Sequence, residues 1–323
     1  MPSRHPPPPS ALRPPEPVEA LGEAITQAST WLREGRWLTW DAVDHGSRAA
    51  GLRPESVWWC TKMLRESQLH PTGLDDIRGR PFRWATSLVS LQAGLREVDL
   101  SLGGNVTGAH EIAGADRDQV VIRALTEEAF RSSEIEGAVT TRKRAQAIIA
   151  SGDLPRDSSE RMVLNNYRAL RYVRERRAEP ITLAHLLALH AILVEGTLPE
   201  GDAGRLRTDD DDIHVVDAAR NVVVHTPPPA ALLPARLERL LAFANAPSEP
   251  SAGLPAAPWV HPALRAIAVH FLFGWEHPFV DGNGRCARAL WYWVMLRNGY
   301  WMAEFIAISE AIGQEMERDA DVF

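Results

Sequence analysis

The sequence predicts a mainly helical protein with one short β-hairpin in its second half and an additional helical region near its N-terminus. Three observations predict this class. Apolar residues recur at helical spacing through most of the chain, and residues that favour helix N-caps precede several of these runs. β-Branched residues alternate in one short segment, residues 213–226. Proline is concentrated in residues 1–17, which we expect to be disordered because such a composition cannot build a core.

Residues 18–81 show a helical pattern with five tryptophans, for which the sequence gives no clear role. We interpret these tryptophans as core residues, in preference to a helix-turn-helix whose second helix begins within residues 51–59. The pattern continues as a predicted helix over residues 84–104. A further helix is expected over residues 119–131.

The second half of the chain is predicted to contain helices over 159–175, 182–193, 234–245, 264–275 and 287–296. Thr182 is the expected N-cap of one of them. We therefore divide the chain into a disordered tail (1–17), a helical region (18–81), a helical extension (82–150) and a core domain (151–323).

Composition excludes several classes of protein. The formal charge of −7 argues against broad affinity for nucleic acid, which requires a basic surface, so DNA is an unlikely partner. The two cysteines, Cys60 and Cys286, are far apart and lack metal-ligand spacing, as in a reducing compartment. No apolar run has the length of a membrane span. We expect a cytoplasmic protein.

One segment carries most of the chemistry. Residues 277–288 read His-Pro-Phe-Val-Asp-Gly-Asn-Gly-Arg-Cys-Ala-Arg and lie between two apolar helical runs. The backbone N–H groups of Gly282, Asn283 and Gly284 would open the second helix, and a free helix N-terminus favours anions. Arg285 and Arg288 follow within one helical turn and can both reach a polyphosphate.

Two further groups in the segment suggest catalysis as well as phosphate binding. His277 can act as a general base near neutral pH. Asp281 can hold Mg²⁺, which proteins usually bind through one or two carboxylates, substrate phosphates and water. A base, a metal carboxylate and an anion site together suggest transfer of a phosphate-containing group to a hydroxyl.

This segment resembles the signature of the Fic domain family, His-x-Phe-x-(Asp/Glu)-Gly-Asn-Gly-Arg-x-x-Arg, at every defined position. The resemblance covers residues 83–312 and implies the helical Fic fold. It also implies a protein adenylyltransferase that moves AMP from ATP, with Mg²⁺, to a Ser, Thr or Tyr hydroxyl of a target protein. In relatives of this length class the chain usually continues with further helices beyond residue 312. The early end would either leave the pocket for the nucleotide base more open or weaken the packing behind the helix that carries the two arginines.

The same resemblance implies a role for each matched position. His277 would deprotonate the target hydroxyl, and Phe279 would anchor the loop. Asp281 would bind the metal. The α- and β-phosphates would lie on Gly282, Asn283 and Gly284, with Arg285 as a clamp and Arg288 at the γ-phosphate.

A second match suggests self-inhibition. Ser132-Ser133-Glu134-Ile135-Glu136-Gly137 fits the family's inhibitory pattern (Ser/Thr)-x-x-x-Glu-(Gly/Asn), with Ser132 first and Glu136 as the glutamate. A carboxylate that pairs with Arg288 occupies the guanidinium group needed by the γ-phosphate. We therefore expect Glu136 to hold the enzyme largely inactive.

The hairpin over residues 213–225, centred near Asn221, resembles the family's flap, which docks the target segment by strand addition beside the active site. Asp209 to Asp212 precede it, and we interpret them as a solvated loop in preference to a selectivity feature for basic targets. Self-modification and a homodimer are both compatible with this arrangement.

Other interpretations of the chain stay open. The same site could remove AMP from a modified protein, with Glu136 positioning a water molecule. The chain could instead be a nucleotide-sensing transcriptional or interaction module, or a simple metal hydrolase. The remaining histidines, His185, His190, His261 and His270, are scattered, so we interpret them as structural or surface groups. His270 could also support the catalytic loop, since it lies seven residues before His277.

Overall fold

The protein folds into two compact units, Met1–Glu97 and Val98–Phe323. The computed structural model describes residues 14–34, 38–85, 89–103, 114–217, 222–247 and 259–321. These residues are mainly helical, which confirms the predicted fold class. No helix among them is long and apolar enough to cross a membrane.

The first unit contains three helices followed by a β-hairpin. A short 3-10 helix, Val18–Leu21, leads into α1 (Gly22–Arg33), which is followed by α2 (Trp40–Ala49), α3 (Pro54–Glu66), β1 (Leu69–Asp75) and β2 (Pro81–Ala85). The three helices share a small apolar core to which each contributes buried side chains. Its members are Leu21, Ala24, Ala28, Trp31, Val43, Val57 and Cys60.

The hairpin corrects the helical prediction for this region. Strands β1 and β2 are antiparallel, with Leu69 opposite Ala85 and His70 opposite Trp84. Trp84, which we expected to begin a helix, therefore lies in a strand, and the next helix is α4 (Val89–Leu102). The helical pattern was misleading because apolar residues in a short strand also fit parts of a helical period. The interpretation of the tryptophans as core is confirmed for Trp31 and Trp40, which are buried.

The second unit is a helical assembly around one central helix. After α4, which spans the boundary between the units, come α5 (Gly114–Ile135), α6 (Arg142–Ser151), α7 (Ser158–Glu175), α8 (Leu183–Val194), α9 (Leu233–Ala244), α10 (Pro262–Glu276), α11 (Asn283–Arg297) and α12 (Ile308–Asp321). The predicted helices of this half agree with α7 to α11 within a few residues at each end. Thr182 caps α8, as expected, because its hydroxyl accepts from the His185 N–H.

Helix α11 forms the centre of this unit. Its side chains from Arg285 to Leu296 are buried, so the helix is covered on every face. It packs against α10 and also contacts α7, α8 and α5. A residue in the first turn of α11 is consequently held by several neighbouring elements at once.

The second hairpin lies between α8 and α9. Strand β3 (Val215–Asp217) pairs antiparallel with β4 (Val222–His225), with Val215 opposite His225. The predicted turn residue Asn221 lies outside the described residues. The short hairpin expected over residues 213–225 is therefore present.

Candidate functional site

The motif segment forms a tight connection between α10 and α11. Helix α10 ends at Glu276, and His277 follows in the left-handed conformation, with φ 45° and ψ 59°. Positive φ is uncommon for a residue with a side chain, and such strained positions often occur at functional sites. Gly282 then has φ 79° and serves as the N-cap of α11, a conformation that suits glycine. Because it has no side chain, Gly282 does not cap the first N–H groups of α11.

The loop is held from inside by Phe279 and Asn283. The Phe279 side chain is fully buried. The Asn283 amide forms two hydrogen bonds with the Phe279 backbone, since its Oδ1 accepts from the N–H at 3.0 Å and its Nδ2 donates to the carbonyl at 2.8 Å. The Asn283 side chain therefore shapes the loop, and its backbone N–H belongs to the open start of α11.

His190, on α8, positions the same loop. Its ring stacks on Phe279 with centroids 3.7 Å apart and planes 5° apart. Its Nδ1 accepts from the Gly204 N–H at 3.0 Å, so its Nε2 carries the proton and donates to the Asp281 carbonyl at 3.0 Å. Burial lowers the pKa of His190 to about 4, which keeps the ring neutral. The structural role expected for His190 is therefore a specific one, at the motif.

The C-terminal end of α10 is capped by a buried arginine that sequence analysis did not identify. Arg207 Nε donates to the His277 carbonyl at 2.7 Å, and its Nη2 donates to the carbonyls of Pro228 at 2.5 Å and Glu276 at 3.3 Å. Its own N–H also donates to the Pro278 carbonyl at 2.9 Å. A cation is favourable at a helix C-terminus because the free carbonyls there are partially negative. In the sequence, only the position of Arg207 shortly before the flap pointed to this contact.

A second buried pair fixes the last residue of α10. The Glu276 carboxylate accepts two hydrogen bonds from Arg236 of α9, each 2.6 Å long, and both side chains are buried. This bidentate geometry is the strong form of an arginine–carboxylate pair. His277 is thus flanked by groups that leave its backbone little freedom.

The two predicted metal and phosphate groups Asp281 and Arg285 contact each other. Arg285 is almost fully buried; its Nη1 donates to the Leu193 carbonyl and its Nη2 to Asp281 Oδ2, both at 3.2 Å. The Asp281 side chain is about half exposed. Arg285 therefore supports the loop from beneath, whereas Asp281 faces solvent. No group of three or more metal-binding side chains occurs in the described part of the chain.

The predicted inhibitory residues converge on Arg288. Arg288 Nε donates to Ser132 Oγ at 2.7 Å, and its Nη2 donates to the Ser132 carbonyl at 2.9 Å and to Glu136 Oε1 at 2.8 Å. Arg288 is buried, and the Glu136 side chain is 24% exposed. In the sequence, Arg288 lies 156 residues from Ser132 and 152 residues from Glu136, yet the three residues form one polar cluster.

Glu136 also lies over the open N-terminus of α11. A Cβ added at Gly284 would overlap Glu136 Oε1 and lie 3.2 Å from Arg288 Nη1. The carboxylate consequently occupies the space beside Gly284 in the first turn of α11, close to the helix end where an anion is favoured. The glycine at this position is what permits that approach.

The end of α5 sets the position of Glu136. Helix α5 ends at Ile135, and Gly137 has φ 86°, the left-handed conformation that ends many helices. Ser133 Oγ donates to the Ala129 carbonyl, and Asn166 Nδ2 of α7 donates to the same carbonyl at 3.3 Å. This buried contact ties the last turns of α5 to α7, so Glu136 is presented by an anchored helix end.

His277 is favoured in its neutral form. Its pKa is lowered from the ordinary value, mainly by burial and to a smaller extent by Arg207 and His225, while a hydrogen bond with the Gly274 backbone and the charge of Glu136 partly offset this. A neutral imidazole can accept a proton at pH 7. His270 lies on α10, the helix that ends just before His277. Burial and the charge of Arg288 lower the pKa of His270 to about 4, so its ring is also neutral at pH 7.

The flap is attached at the same end of α10. His225 Nε2 forms a hydrogen bond with the Trp275 carbonyl at 2.7 Å, and the two rings lie 4.3 Å apart. Beyond this anchor, the side chains of Val216, Val222, Val223 and Val224 are each about half exposed. The hairpin therefore offers an apolar surface next to His277.

The four aspartates before the flap are only partly a solvated loop. Asp211 forms a capping box with Thr208 and pairs with Arg205, and Asp209 Oδ1 accepts from the Ala230 N–H at 2.7 Å. Asp212 Oδ1 lies 3.2 Å from His214 Nε2, a contact at the start of the flap, while its own side chain stays exposed. Two of the four carboxylates are thus structural, which the sequence interpretation did not include.

Comparison with known proteins supports the family suggested by the motif. Residues 180–295 match the model of the Fic/DOC family, a range that contains His277 to Arg288 and the flap. "Protein adenylyltransferase Fic" of Nematostella vectensis is 27% identical over 191 residues. That match covers 56% of this chain and 40% of the relative, so the chain spans less than half the length of this curated relative. Ser132 and Glu136 lie outside the range of the family model.

Solved structures share the fold. A Fic family protein from Desulfovibrio desulfuricans is 23% identical with a TM-score of 0.52, covering 71% of this chain and 64% of that chain. Fic-1 from C. elegans is 20% identical with the same TM-score, covering 88% of this chain and 85% of its own. At these identities the similarity establishes a common architecture, and activity has to be argued from the site.

Proposed function

We propose that this protein is an adenylyltransferase that moves AMP from ATP to a Ser, Thr or Tyr hydroxyl of a protein target, and that Glu136 holds it inactive. The observation that carries the proposal is the position of the Glu136 carboxylate, which pairs with Arg288 and lies against Gly284 in the first turn of α11. The protein places an anion of its own where a nucleotide phosphate would be stabilised.

The phosphate site combines backbone and side-chain donors. The uncapped first turn of α11 provides N–H groups and the positive end of the helix dipole. Once Glu136 moves away, the Arg288 guanidinium can donate to the terminal phosphate instead. Asp281 is exposed at the same loop and would hold Mg²⁺, whose other ligands would come from the phosphates and water. The bound Mg²⁺ would neutralise phosphate charge.

The chemical step needs a base that is neutral at physiological pH. In this step the target oxygen attacks the α-phosphorus, its proton passes to His277, and the bond from the α-phosphorus to the bridging oxygen breaks. Pyrophosphate leaves and a phosphodiester to AMP remains on the target. The lowered pKa of His277 keeps its imidazole available for the proton. Arg207 and the Arg236–Glu276 pair hold the backbone of His277 in place.

Inhibition follows from competition for one guanidinium group. Arg288 is buried, so its charge requires an acceptor, and Ser132 and Glu136 provide it in the inactive form. The γ-phosphate and Glu136 cannot occupy the same space at Gly284. Because the Glu136 side chain is partly exposed beyond the end of α5, a rotation of that side chain would release Arg288 Nη2 while the buried Ser132 and Ser133 stay in place.

The target segment would dock on the flap. A two-stranded sheet leaves outer edges free for an added strand, and backbone hydrogen bonding suits targets of varied sequence. The exposed valines of β4 would contact alternate side chains of the target. The anchor from His225 to Trp275 would keep the docked hydroxyl close to His277.

The test is transfer of label from α-labelled ATP with Mg²⁺, to the enzyme itself and to lysate proteins. The wild type, Glu136→Gly and the double variant Glu136→Gly/His277→Ala should be compared. We expect labelling in the Glu136→Gly variant only. Arg171→Ala, which removes an exposed arginine paired with Glu175 on α7, is a matched surface control; added to Glu136→Gly, it should leave the labelling of that variant unchanged.

The other outcomes separate the alternatives. Equal labelling in the wild type and the Glu136→Gly variant would refute the lock but not the transferase. No labelling in any variant, although ATP binds, would refute the transferase. If the wild type then removes AMP from a modified protein and Glu136→Gly does not, Glu136 is a catalytic group for the removal reaction.

A further inference from the structure

The first unit has an arrangement that the proposed transferase does not use. Helices α1, α2 and α3 are followed directly by the β1–β2 hairpin. Four residues, 50–53, join α2 to α3, and among them Gly51 has φ 70°. Two helices joined by a short turn with a glycine form a helix-turn-helix, and here a hairpin follows the second of them. Helix α3 packs against both α1 and α2, which makes it the shared element of this unit.

Helix α3 has one face in the core and one face in solvent. Val57 and Cys60 are buried in the core of the unit, and Thr61 is also buried. On the opposite side Lys62 and Met63 are exposed. The Lys62 ammonium lies 5.1 Å from the centre of the Trp58 ring, and no ion pair involves it among the described residues. The outer face of α3 thus presents a cation without a partner carboxylate.

The tip of the hairpin is a preformed turn that carries two arginines. The Asp76 carboxylate accepts from the N–H groups of Arg78 at 2.8 Å and Arg80 at 2.9 Å. Gly79 has φ 71°, and its N–H donates to the Asp76 carbonyl at 3.1 Å. Arg80 pairs with Asp76, whereas Arg78 is exposed and forms no ion pair with any described residue. Since the turn is already fixed, little conformational entropy is lost when its side chains contact a ligand.

Charge is distributed unevenly along this unit. Residues 53–85 contain six arginines and lysines and four carboxylates. Residues 14–34 and 38–52 together contain two arginines and six carboxylates. Two of the six cations are used internally: Arg65 donates to the Leu38 carbonyl, and Arg83 pairs with Glu66. Four cations face solvent: Arg53, Lys62, Arg78 and Arg80. Arg53 lies 3.7 Å from Glu55 and Arg80 pairs with Asp76, so Lys62 and Arg78 are the two without an ion pair among the described residues. DNA affinity depends on such a local basic surface more than on the net charge of the chain.

We propose that residues 14–85 form a winged helix-turn-helix that binds double-stranded DNA. Helix α3 would enter the major groove, as the second helix of this motif does, and the hairpin tip would contact the phosphate backbone with Arg78 and Arg80. The acidic α1–α2 side would face away from the duplex. This inference departs from our expectation that DNA is an unlikely partner, which rested on the net charge of the whole chain. It is independent of the transferase and adds a binding activity to it.

The test measures binding of the full-length protein to a fluorescent pool of random-sequence duplex DNA by anisotropy, across a series of salt concentrations. We expect binding that weakens as salt rises, with a Kd of about 10⁻⁴–10⁻⁶ M at physiological salt for unselected sequence. Lys62→Ala and Arg78→Ala should each reduce the slope of log K against log salt by about one, as expected for one lost phosphate contact. The double variant should lose roughly tenfold or more in affinity at low salt.

Arg171→Ala serves as the control here too, because it removes one exposed arginine from the other unit. It should leave both slope and affinity unchanged. Selection from the same pool should then enrich a common sequence. Absence of salt-dependent binding would overturn the proposal, and so would binding that the double variant retains in full. In that case the exposed Met63 and Ile77 of this surface would be tested for a protein partner instead.

Discussion

Replacement of Arg207 by Met tests how the catalytic loop is held. Met retains much of the apolar length of the side chain but removes every guanidinium hydrogen bond. The carbonyls of His277, Pro228 and Glu276 would lose their donor at a buried position. A hydrogen bond to a charged group contributes about 1.5–3 kcal/mol. Two of these three are short, so we expect about 3–6 kcal/mol of local destabilisation.

Hydrogen exchange measures this effect where it occurs. If opening of the loop becomes easier by about 3 kcal/mol, amides in residues 277–283 should exchange roughly a hundredfold faster, since about 1.4 kcal/mol corresponds to a factor of ten. Two of these amides have defined acceptors, His277 N–H to the Phe273 carbonyl and Phe279 N–H to Asn283 Oδ1. Transfer by the Glu136→Gly form should fall in parallel, because the backbone of the base is no longer fixed.

Arg205→Met is the matched control for this experiment. Arg205 lies two residues away, but its guanidinium pairs with Asp202 and Asp211 within its own loop and is partly exposed. Surface pairs of this kind contribute little. Unchanged exchange at residues 277–283 in Arg207→Met would refute the reasoning, and so would an equal acceleration in Arg205→Met.

Three further predictions concern pH and packing. First, the pKa of His190 is about 4 in the folded protein, below the ordinary 6.5, so as pH falls the unfolded chain takes up this proton before the folded protein does. The contribution of His190 to the free energy of unfolding should therefore be fully present above pH 6.5 and fall by roughly 3 kcal/mol towards pH 4. In His190→Gln the denaturation midpoint should depend less on pH over this interval, and an unchanged dependence would contradict the assignment. Second, the transfer rate of the Glu136→Gly form should be maintained below pH 6.5 before it declines, because the pKa of His277 is lowered; a decline that begins above pH 6.5 would exclude His277 as the base. Third, Gly284→Ala should lower the melting temperature through a clash worth about 1–3 kcal/mol, and adding Glu136→Gly should restore most of it. Failure of the second substitution to restore stability would place Glu136 away from Gly284.

Local sequence determined the helices and the motif loop. Helix α8 begins after Thr182 because the Thr182 hydroxyl caps it, and α11 begins after Gly282 because glycine adopts the backbone conformation required there. Both effects act within a few residues. The order of groups from His277 to Arg288 likewise fixes an open helix N-terminus with a histidine before it. Local periodicity failed at residues 69–85, where the hairpin is stabilised by cross-strand pairing that a helical pattern cannot reveal.

Only the tertiary structure decided which residues act together. Arg207 and His190 are unremarkable in the sequence, and they became supports of the loop because α8 and the following segment pack beneath it. The contact of Ser132 and Glu136 with Arg288 was suggested by a motif, but its geometry depends on the docking of α5 against α7 and α11. Hydrogen bonds between distant segments depend on chain packing, whereas helix formation depends mainly on neighbours in sequence. The sequence by itself therefore determined the chemical groups of the site, and the packing of α5, α8, α10 and α11 decided their partners and their charge states.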